Sequence, residues 1–413
     1  MALIKAFAAL RPQPADAGFT TAPPYDVISS DEAREMVNGN KYSFLRVEKP
    51  EVDFDRSVHA DDERVYARAA ANLRRLARVS MIQDRKPCLY IYRLTMDGAE
   101  QTGLVMCGSV DEYLSGAIKK HELTREDKER DRTRHIDAAN ANTEPIFLAY
   151  RDKDNPRIRV RLAELTQNGK PAYDFMPEDH IRHEVWLIDS DEEIGRLSGE
   201  FGILPAMYIA DGHHRCAAAA NVALERRKED KNPNAEFNYT LSVVFPDTQL
   251  RIMDYNRVVK DLNDMSPDDL LSRISERFTV SSSDTPVKPR QPHEFGMYMD
   301  RKWRCLAWKG TGEAAKSLAD ALDVSILQNC LLSPILGIGD PRTDIRIDFI
   351  GGIRGLGELE KRVDSGGMAA AFSLFPTSME QLMAIADAGE IMPPKSTWFE
   401  PKLRSGLFVH WLE

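Results

Sequence analysis

The pentapeptide Asp-Gly-His-His-Arg at 211–215 brings together residue types that suit phosphate chemistry. A mostly apolar run at 204–210 precedes it and an alanine-rich run at 216–228 follows it, which predicts a strand, a turn and a helix. The first turn of a helix presents unbonded backbone N–H groups that attract anions, and histidine and arginine add donors. Asp211 would repel a phosphate unless a metal ion or a proton lies between them, so we predict it to be a Mg²⁺ ligand or a base. An Asx turn with surface histidines is the alternative interpretation.

A strongly charged stretch at 119–135 supplies a second set of candidates. Phosphoryl transfer depends on cations that hold the phosphates and on one carboxylate near the acceptor hydroxyl. If residues 124–135 are helical, Lys128 and Arg132 are four positions apart and share a face. The stretch is expected to lie outside the core, and a solvated helix crossed by ion pairs is the alternative interpretation. The predicted phosphate ligands are Lys120, His121, Lys128 and Arg132, and the predicted base is Glu122.

The proline-rich segment 391–402 contains one further candidate, Lys395, within Pro-Pro-Lys-Ser-Thr. The spacing from Gly389 does not fit a Walker phosphate loop, and prolines stand where backbone N–H groups would have to bind phosphate. We therefore reject a Walker site and predict Lys395 only as a weak phosphate or carboxylate contact on a rigid loop. An ordinary surface lysine is the alternative.

Composition narrows the classes of function. The 413 residues include 65 acidic and 55 basic side chains, and the resulting net charge of −10 disfavours nucleic acid as a partner. Five widely spaced cysteines form no C-x-x-C pair, which is typical of a reducing compartment. No uninterrupted apolar run is long enough for a membrane span, and the N-terminus is unlike a secretory signal. These features predict a soluble, acidic, cytoplasmic protein with room for a sizeable core and one or more pockets, and they do not indicate a chemistry.

Local patterns predict the elements around these candidates. Residues 63–79 place apolar side chains on one stripe and arginines on the other, as in an amphipathic helix. Two short apolar runs flank the turn dipeptide at 97–98 and predict a β-hairpin. Residues 377–380 have the pattern of a capping box, and the stretch 281–292, rich in proline and serine, predicts a linker.

Five blocks of the sequence carry a family resemblance. They are Ala22–Val27, Lys120–Thr124, Asn142–Ile146, Tyr208–Arg215 and Met392–Thr397. Together, and in this order, they resemble a bacterial and archaeal family, domain of unknown function 1015, over nearly the whole chain. The strand, turn and alanine-rich helix around 211–215 also resemble the phosphate-binding element of the ParB/sulfiredoxin-like fold. Members of that fold include a kinase of free L-serine.

The second resemblance implies roles for single residues. The nucleotide phosphates would be bound by Gly212, His213, His214 and Arg215. Asp211 matches an acidic residue at the start of the corresponding block of the serine kinase. Sulfiredoxin requires a cysteine where this chain has His213. ParB requires a DNA-reading helix-turn-helix, which the sequence does not suggest, and usually a basic surface. The serine kinase branch therefore agrees best with the sequence.

These resemblances imply a mixed α/β fold with a ParB/sulfiredoxin-like core embedded in a larger mixed-sheet protein. The expected regions are 1–175, which holds Lys-His-Glu at 120–122, then 176–280 as the core, and 293–413. The favoured function is phosphate transfer from ATP or ADP, with Mg²⁺, to a small hydroxylated metabolite such as serine. Its catalytic groups would be Glu122, Asp211 and His214. The alternatives are a nucleotide-binding regulator or scaffold without acceptor chemistry, and a nucleotide or phosphoester hydrolase.

Overall fold

A computed structural model describes residues 4–310 and 317–413 of the chain. The chain forms two compact units: the first joins Met1–Leu250 to Pro401–Glu413, and the second is Arg251–Glu400. Both combine helices with β-sheets, so the predicted mixed α/β class is confirmed. Among the helices of the described residues, none is long and apolar enough to cross a membrane.

The first unit contains most of the strands and helices. Its strands are β1 (Ile4–Lys5), β2 (Leu10–Pro12), β3 (Met81–Gln83), β4 (Leu89–Met96), β5 (Ala99–Ser109), β6 (Ile118–Lys119), β7 (Ala141–Asn142), β8 (Ile146–Tyr150), β9 (Tyr173–Phe175), β10 (Arg182–Ile188), β11 (Met207–Asp211), β12 (Tyr239–Pro246) and, at the C-terminus, β21 (His410–Trp411). Its helices are α1 (Ala17–Thr20), α2 (Ser30–Met36), α3 (Leu45–Glu48), α4 (Glu63–Val79), α5 (Val110–Ser115), α6 (Glu126–Ala139), α7 (Arg157–Asn168), α8 (Asp191–Gly202) and α9 (His213–Arg226).

A nine-stranded mixed sheet is the centre of the first unit. Its order is β6-β11-β8-β12-β5-β4-β10-β9, and β1 also pairs with β5. β6 is parallel to β11 and β8 is parallel to β12, whereas the other pairs are antiparallel. One core cluster joins the sheet to α7 and α8 through Leu162 and Phe201. A second cluster packs α6 against α9 through Ile136 and the alanines at 218–220, so the two helices that carry predicted site residues are in contact.

The second unit contains the remaining elements. Its strands are β13 (Arg251–Met253), β14 (Tyr255–Val259), β15 (Phe278–Ser283), β16 (Glu294–Met299), β17 (Lys302–Trp308), β18 (Ile347–Gly351), β19 (Ala370–Leu374) and β20 (Trp398–Glu400), and its helices are α10 (Pro267–Arg277), α11 (Asp323–Leu327), α12 (Leu356–Asp364) and α13 (Met379–Asp387). Six strands form an antiparallel sheet of order β15-β17-β16-β19-β14-β18. Helix α12 packs against it through Leu359, which lies in one cluster with Val258 and Trp303.

Several local predictions are confirmed. Helix α4 has the predicted bounds, and Asp62 caps it by accepting the N–H of Arg64. β4 and β5 form the predicted hairpin, with Asp97 and Gly98 both at positive φ in its turn. The segment around 211–215 is the predicted strand, turn and helix, namely β11, Gly212 and α9.

Two local predictions are wrong. The capping box at the start of α13 is formed by Ser378 and Gln381, one residue after the predicted pair, because the helix begins at Met379. The stretch 281–292 is not a linker between units, since its first residues complete β15 and all of it lies inside the second unit.

The division of the chain also differs from the three predicted regions. The expected boundary at residue 175 falls inside the nine-stranded sheet, because β4, β5 and β8 pair with β10, β12 and β11 from beyond it. The C-terminal residues 401–413 belong to the first unit. Long-range strand pairing sets these boundaries, and it leaves no local signal in composition.

Gly103 in the centre of β5 allows a close approach of strands, and its replacement tests this packing. A Cβ at this position would lie 2.7 Å from the ring of Phe245 and 2.8 Å from the carbonyl oxygen of Val244. Gly103→Ala is expected to lower the free energy of unfolding by about 1–3 kcal/mol through overpacking. Gly195→Ala is the control, because Gly195 lies on the exposed face of α8 and a Cβ there meets nothing within 4 Å. It is expected to raise stability by about 0.5–1 kcal/mol. Denaturant unfolding measures both, and equal effects would contradict the prediction.

Candidate functional site

Three segments of the chain meet where the strands β6, β11 and β8 of the nine-stranded sheet begin or end. β6 leads into Lys120–Glu122 and β11 leads into Gly212, and because these strands are parallel neighbours their carboxyl ends lie side by side. β8 is antiparallel to β11, so the residues before it, including Glu144, lie at the same edge. The topology therefore brings together the two groups of candidate residues that are far apart in sequence.

Gly212 shapes the turn between β11 and α9. Its φ of +94° lies in the left-handed region that favours glycine, and a Cβ would lie 3.1 Å from the guanidinium of Arg215. The pairing register shifts between Ile209 and Asp211, an irregularity that re-aims the end of the strand. Gly212 offers no side-chain acceptor to the first-turn N–H groups of α9, which are the donors that an anion would bind.

Asp211 carries a negative charge at the start of this helix. Its Oδ1 accepts the N–H of Gly212 at 2.9 Å, and its Oδ2 accepts a hydrogen bond from Nζ of Lys402 at 3.0 Å. Burial opposes ionisation, but Lys402 and Arg215 outweigh it and hold the pKa of Asp211 well below its usual range. The carboxylate is therefore ionised at neutral pH and is already oriented by two donors.

Arg215 is buried and holds the turn against the start of β8. Its Nη1 donates to the carbonyl oxygen of Pro145 at 2.6 Å and lies 3.6 Å from Oε2 of Glu144. The other oxygen of Glu144 accepts the N–H of Tyr25 at 3.0 Å and the hydroxyl of Ser405. Burial disfavours the charged guanidinium, but the nearby carboxylates, led by Glu144, raise the pKa of Arg215 above its ordinary value. Arg215 is thus a positioning residue through Nη1, whatever its remaining donors bind.

Three histidines surround the turn. The rings of His121 and His213 lie with centroids 4.4 Å apart and nearly perpendicular, and the backbone N–H of His121 donates to Nε2 of His213 at 3.4 Å. Burial lowers the pKa of His121 to about 4, and it lowers the pKa of His213 well below its ordinary value. Burial also lowers the pKa of half-buried His214. All three imidazoles are therefore neutral at neutral pH.

The charged stretch 119–135 is not wholly outside the core, and that prediction is wrong for His121, Arg132 and His135, which are buried. Arg132 lies in α6, where its Nη1 is 3.5 Å from a carboxylate oxygen of buried Glu48. A buried cation is tolerated when an anion and further polar groups compensate it. Because that anion comes from α3, the charge pattern of the stretch alone could not reveal it.

Two cavities adjoin this part of the first unit. The smaller, of about 20 Å³, contacts Glu144 and Arg215, and the larger has a volume of about 310 Å³. Glu48, Arg132 and His135 line both cavities. The larger cavity has five acidic and five basic lining residues, namely Glu48, Glu51, Asp61, Asp127 and Asp131 with Lys49, Lys128, Arg130, Arg132 and Arg134. Its volume suits a small metabolite.

The remaining predicted residues differ in where they lie. Lys120 and Lys128 are exposed, and their positive charges act on the histidines of the turn. Glu122 is half-buried in the segment that follows β6. Lys395 belongs to the second unit, where its Nζ lies 5.6 Å from the centre of the Tyr255 ring, and its phosphate contact stays a prediction.

Sequence reasoning missed three residues that fix the site, namely Lys402, Glu144 and Ser405. Glu144 lies inside the block Asn142–Ile146, which the family resemblance marked without giving any residue a role. Lys402 lies 191 residues from its partner Asp211. The block was the only signal available for Glu144, and no pattern in the sequence indicated the pairing of Lys402.

Comparison with known proteins places the chain in a family. The sequence profile described as "Protein of unknown function (DUF1015)" matches residues 4–325. The chain belongs to this family. A search of the curated proteins found no match.

Solved structures show distant likenesses to this member of the family. A free serine kinase in complex with AMP is 13% identical, with a TM-score of 0.35 over 74% of this chain and 92% of that chain. A conserved hypothetical protein from Pyrococcus furiosus is 14% identical, with a TM-score of 0.35 over 75% of this chain and 95% of that chain. SbnI from Staphylococcus aureus with a C-terminal truncation is 13% identical, with a TM-score of 0.36 over 74% of this chain and 87% of that chain.

Glu144 predicts a dependence of stability on pH. Burial and the neighbouring Glu48 raise the pKa of Glu144 to about 7, above the value of an unfolded glutamate. The folded state then binds the proton more tightly, so this stabilising contribution is complete at low pH and is lost as pH rises through about 7. Glu144→Gln cannot titrate, and the wild type is expected to lose stability relative to this variant between about pH 5 and pH 8.

Denaturant unfolding at a series of pH values measures this difference. Glu225→Gln, which changes an exposed carboxylate on α9, is the matched control and should follow the wild type. A gap between wild type and Glu144→Gln that stays constant over the range would contradict the prediction.

Proposed function

We propose that this protein is a nucleotide-dependent phosphotransferase that acts on a small hydroxylated metabolite, with free serine as the first acceptor to test. The observation that supports this most is the turn 211–215 at the N-terminus of α9, with Lys120 and Lys128 nearby. It combines helix N–H groups that Gly212 leaves uncapped with imidazole and ammonium donors, which suits the phosphates of ATP or ADP. Serine follows from the resemblance of the motif to the serine kinase branch.

The nucleotide phosphates bind at the turn in this proposal. The absence of a side chain at Gly212 lets an anion approach the first-turn N–H groups of α9. Lys120 and Lys128 add positive charge, and His213 and His214 add neutral N–H donors. Arg215 holds the helix N-terminus in register through its bond to Pro145, so these donors need no rearrangement when phosphate binds.

Asp211 fits a Mg²⁺ ion shared with the nucleotide. Mg²⁺ takes oxygen ligands and is commonly held by one or two carboxylates, phosphate oxygens and waters. Each oxygen of Asp211 accepts one hydrogen bond, from Gly212 or Lys402, and retains a second lone pair. When bound, the ion would neutralise part of the negative charge of the phosphates. Lys402 keeps Asp211 ionised and fixes its orientation for that contact.

Glu122 is the proposed base of the transfer step. The acceptor hydroxyl oxygen attacks the terminal phosphorus, the bond from that phosphorus to the bridging oxygen breaks, and the hydroxyl proton passes to the Glu122 carboxylate. His214 donates a hydrogen bond to the phosphate oxygens as charge shifts to the leaving group. The cavity of about 310 Å³ supports a zwitterionic acceptor, because its acidic and basic side chains can pair with an ammonium and a carboxylate.

The transfer is tested by incubating the protein with ATP or ADP, Mg²⁺ and a panel of amino acids, followed by mass spectrometry for O-phosphoserine. Glu122→Gln is expected to lower the rate by about 100-fold or more, since a general base contributes about that factor. The exposed Glu225→Gln should leave the rate unchanged. Absence of a phosphorylated product from every donor and acceptor would refute the transfer.

Nucleotide binding is tested separately by thermal unfolding. A nucleotide at about 100 times its dissociation constant should stabilise the protein by about 2.7 kcal/mol. The double change of Lys128 and His214 to alanine should remove most of this stabilisation, whereas Lys228→Ala, just beyond the C-terminal end of α9, should retain it. Binding without any product would favour a regulator or scaffold. Phosphate release without an acceptor would favour a hydrolase.

A further inference from the structure

We infer that the protein holds a divalent metal ion of the zinc class at His121, Glu122 and His213, separate from the Mg²⁺ proposed at Asp211. One ligand atom from each of the three residues lies within 4.8 Å of those from the other two. Two imidazole nitrogens and a carboxylate oxygen form a ligand set that is common in zinc sites. The inference goes beyond the proposed phosphate transfer and does not depend on nucleotide binding.

His121 supplies the independent observation that points to a ligand. Its side chain is only 2% exposed, and neither ring nitrogen makes a hydrogen bond of ordinary geometry among the described residues; the backbone of Ile209 offers one ring nitrogen only a weak contact. A buried polar group without a partner loses the hydrogen bonds that it makes with water in the unfolded chain. A metal ion bound to one ring nitrogen would compensate this loss.

His213 directs a lone pair toward the same place. The backbone N–H of His121 donates to Nε2 of His213, so this nitrogen carries the lone pair of the imidazole. The bond is long, at 3.4 Å, and therefore weak, and a metal ion that took this lone pair would replace it. The accepting nitrogen of His213 therefore faces residue 121, whose ring nitrogens make no hydrogen bond of ordinary geometry.

The fold brings the three residues to the ends of two adjacent strands. His121 and Glu122 lie in the loop that begins after β6, with Lys120 between, and His213 is the first residue of α9 after β11. β6 and β11 are parallel neighbours, with Met207 opposite Ile118 in the register. The strand pairing therefore places the ligand atoms within 4.8 Å of one another, and the side chains need only close further onto an ion that binds at about 2.1 Å.

The ligand types determine the class of metal. Imidazole suits Zn²⁺ and the neighbouring transition metals, whereas Mg²⁺ prefers an octahedron of oxygen atoms. Three protein ligands leave at least one position open, which is the arrangement of catalytic rather than structural zinc. The charge of Asp211 acts on both histidines and would favour a cation between them. An ion here would hold Glu122 as a ligand and not leave it as the base.

Binding is tested with Co²⁺, a spectroscopic substitute for Zn²⁺, added to the full-length protein after treatment with a chelator. Saturable binding of a single equivalent should appear in visible absorption, and Zn²⁺ should displace it whereas excess Mg²⁺ should not. His121→Gln and Glu122→Gln should each weaken binding by about 100-fold, because even the partners of metal ligands contribute about 10- to 100-fold. His59→Gln, with a side chain 84% exposed in the first unit, is the matched control and should bind as the wild type does.

Thermal unfolding with and without Zn²⁺ provides a second readout that does not involve activity. Zn²⁺ should raise the unfolding midpoint of the wild type and of His59→Gln but not that of Glu122→Gln. Glu122→Gln changes only a half-buried side chain, so it keeps the test valid if the variant at buried His121 does not fold. The inference is overturned by a lack of saturable binding, by binding that both variants retain, or by equal displacement with Mg²⁺. These results bear on the base assigned to Glu122 but not on nucleotide binding or on O-phosphoserine formation, so failure of the metal site leaves the phosphate transfer standing, and failure of the transfer leaves the metal site standing.

Discussion

A buried positive charge must be compensated, and the contacts of Arg215 with Pro145, Asp211 and Glu144 are those on which the site depends. An unpaired charge in this position would cost about 3–5 kcal/mol. Ionised Asp211 supplies an opposite charge, Pro145 supplies a carbonyl oxygen, and Glu144 adds its charge as it ionises near pH 7 while Ser405 binds its second oxygen. This arrangement connects the turn before α9 to the start of β8 and to the C-terminal segment 401–413. The first turn of α9 is therefore held in place before any anion binds.

The sequence predicts the local parts of this arrangement well, because they follow from short-range physical rules. The alternation of arginines and apolar side chains gives α4 its bounds, and the dipeptide at 97–98 gives the hairpin its turn. The glycine at 212 between an apolar run and an alanine-rich run gives the strand, turn and helix. In each case a few consecutive residues determine the local structure, through the spacing of apolar side chains, a helix cap or a residue that adopts positive φ.

The parts that the sequence does not predict are set by partners far along the chain. The sequence around Arg132 predicts a surface residue, but in the structure Arg132 is buried beside Glu48. Asp211 is isolated in sequence from Lys402, yet this lysine keeps it ionised and oriented. Such pairs arise from the order of strands in the sheet, and no periodicity or composition records that order. The same reason explains why the boundary predicted at residue 175 falls inside the nine-stranded sheet.

Two kinds of metal-ligand atom lie close together at the ends of β6 and β11, namely carboxylate oxygens and imidazole nitrogens. Asp211 provides oxygen atoms that already accept N–H donors from Gly212 and Lys402, a setting that suits a hard, hydrated ion bound together with phosphate. His121 and His213 provide nitrogen atoms in a buried setting, which suits an ion that has shed its water. Because β6 and β11 are parallel neighbours, both settings lie at the same ends of adjacent strands. An ion at the histidines would bring positive charge to the start of α9 and strengthen its attraction for an anion.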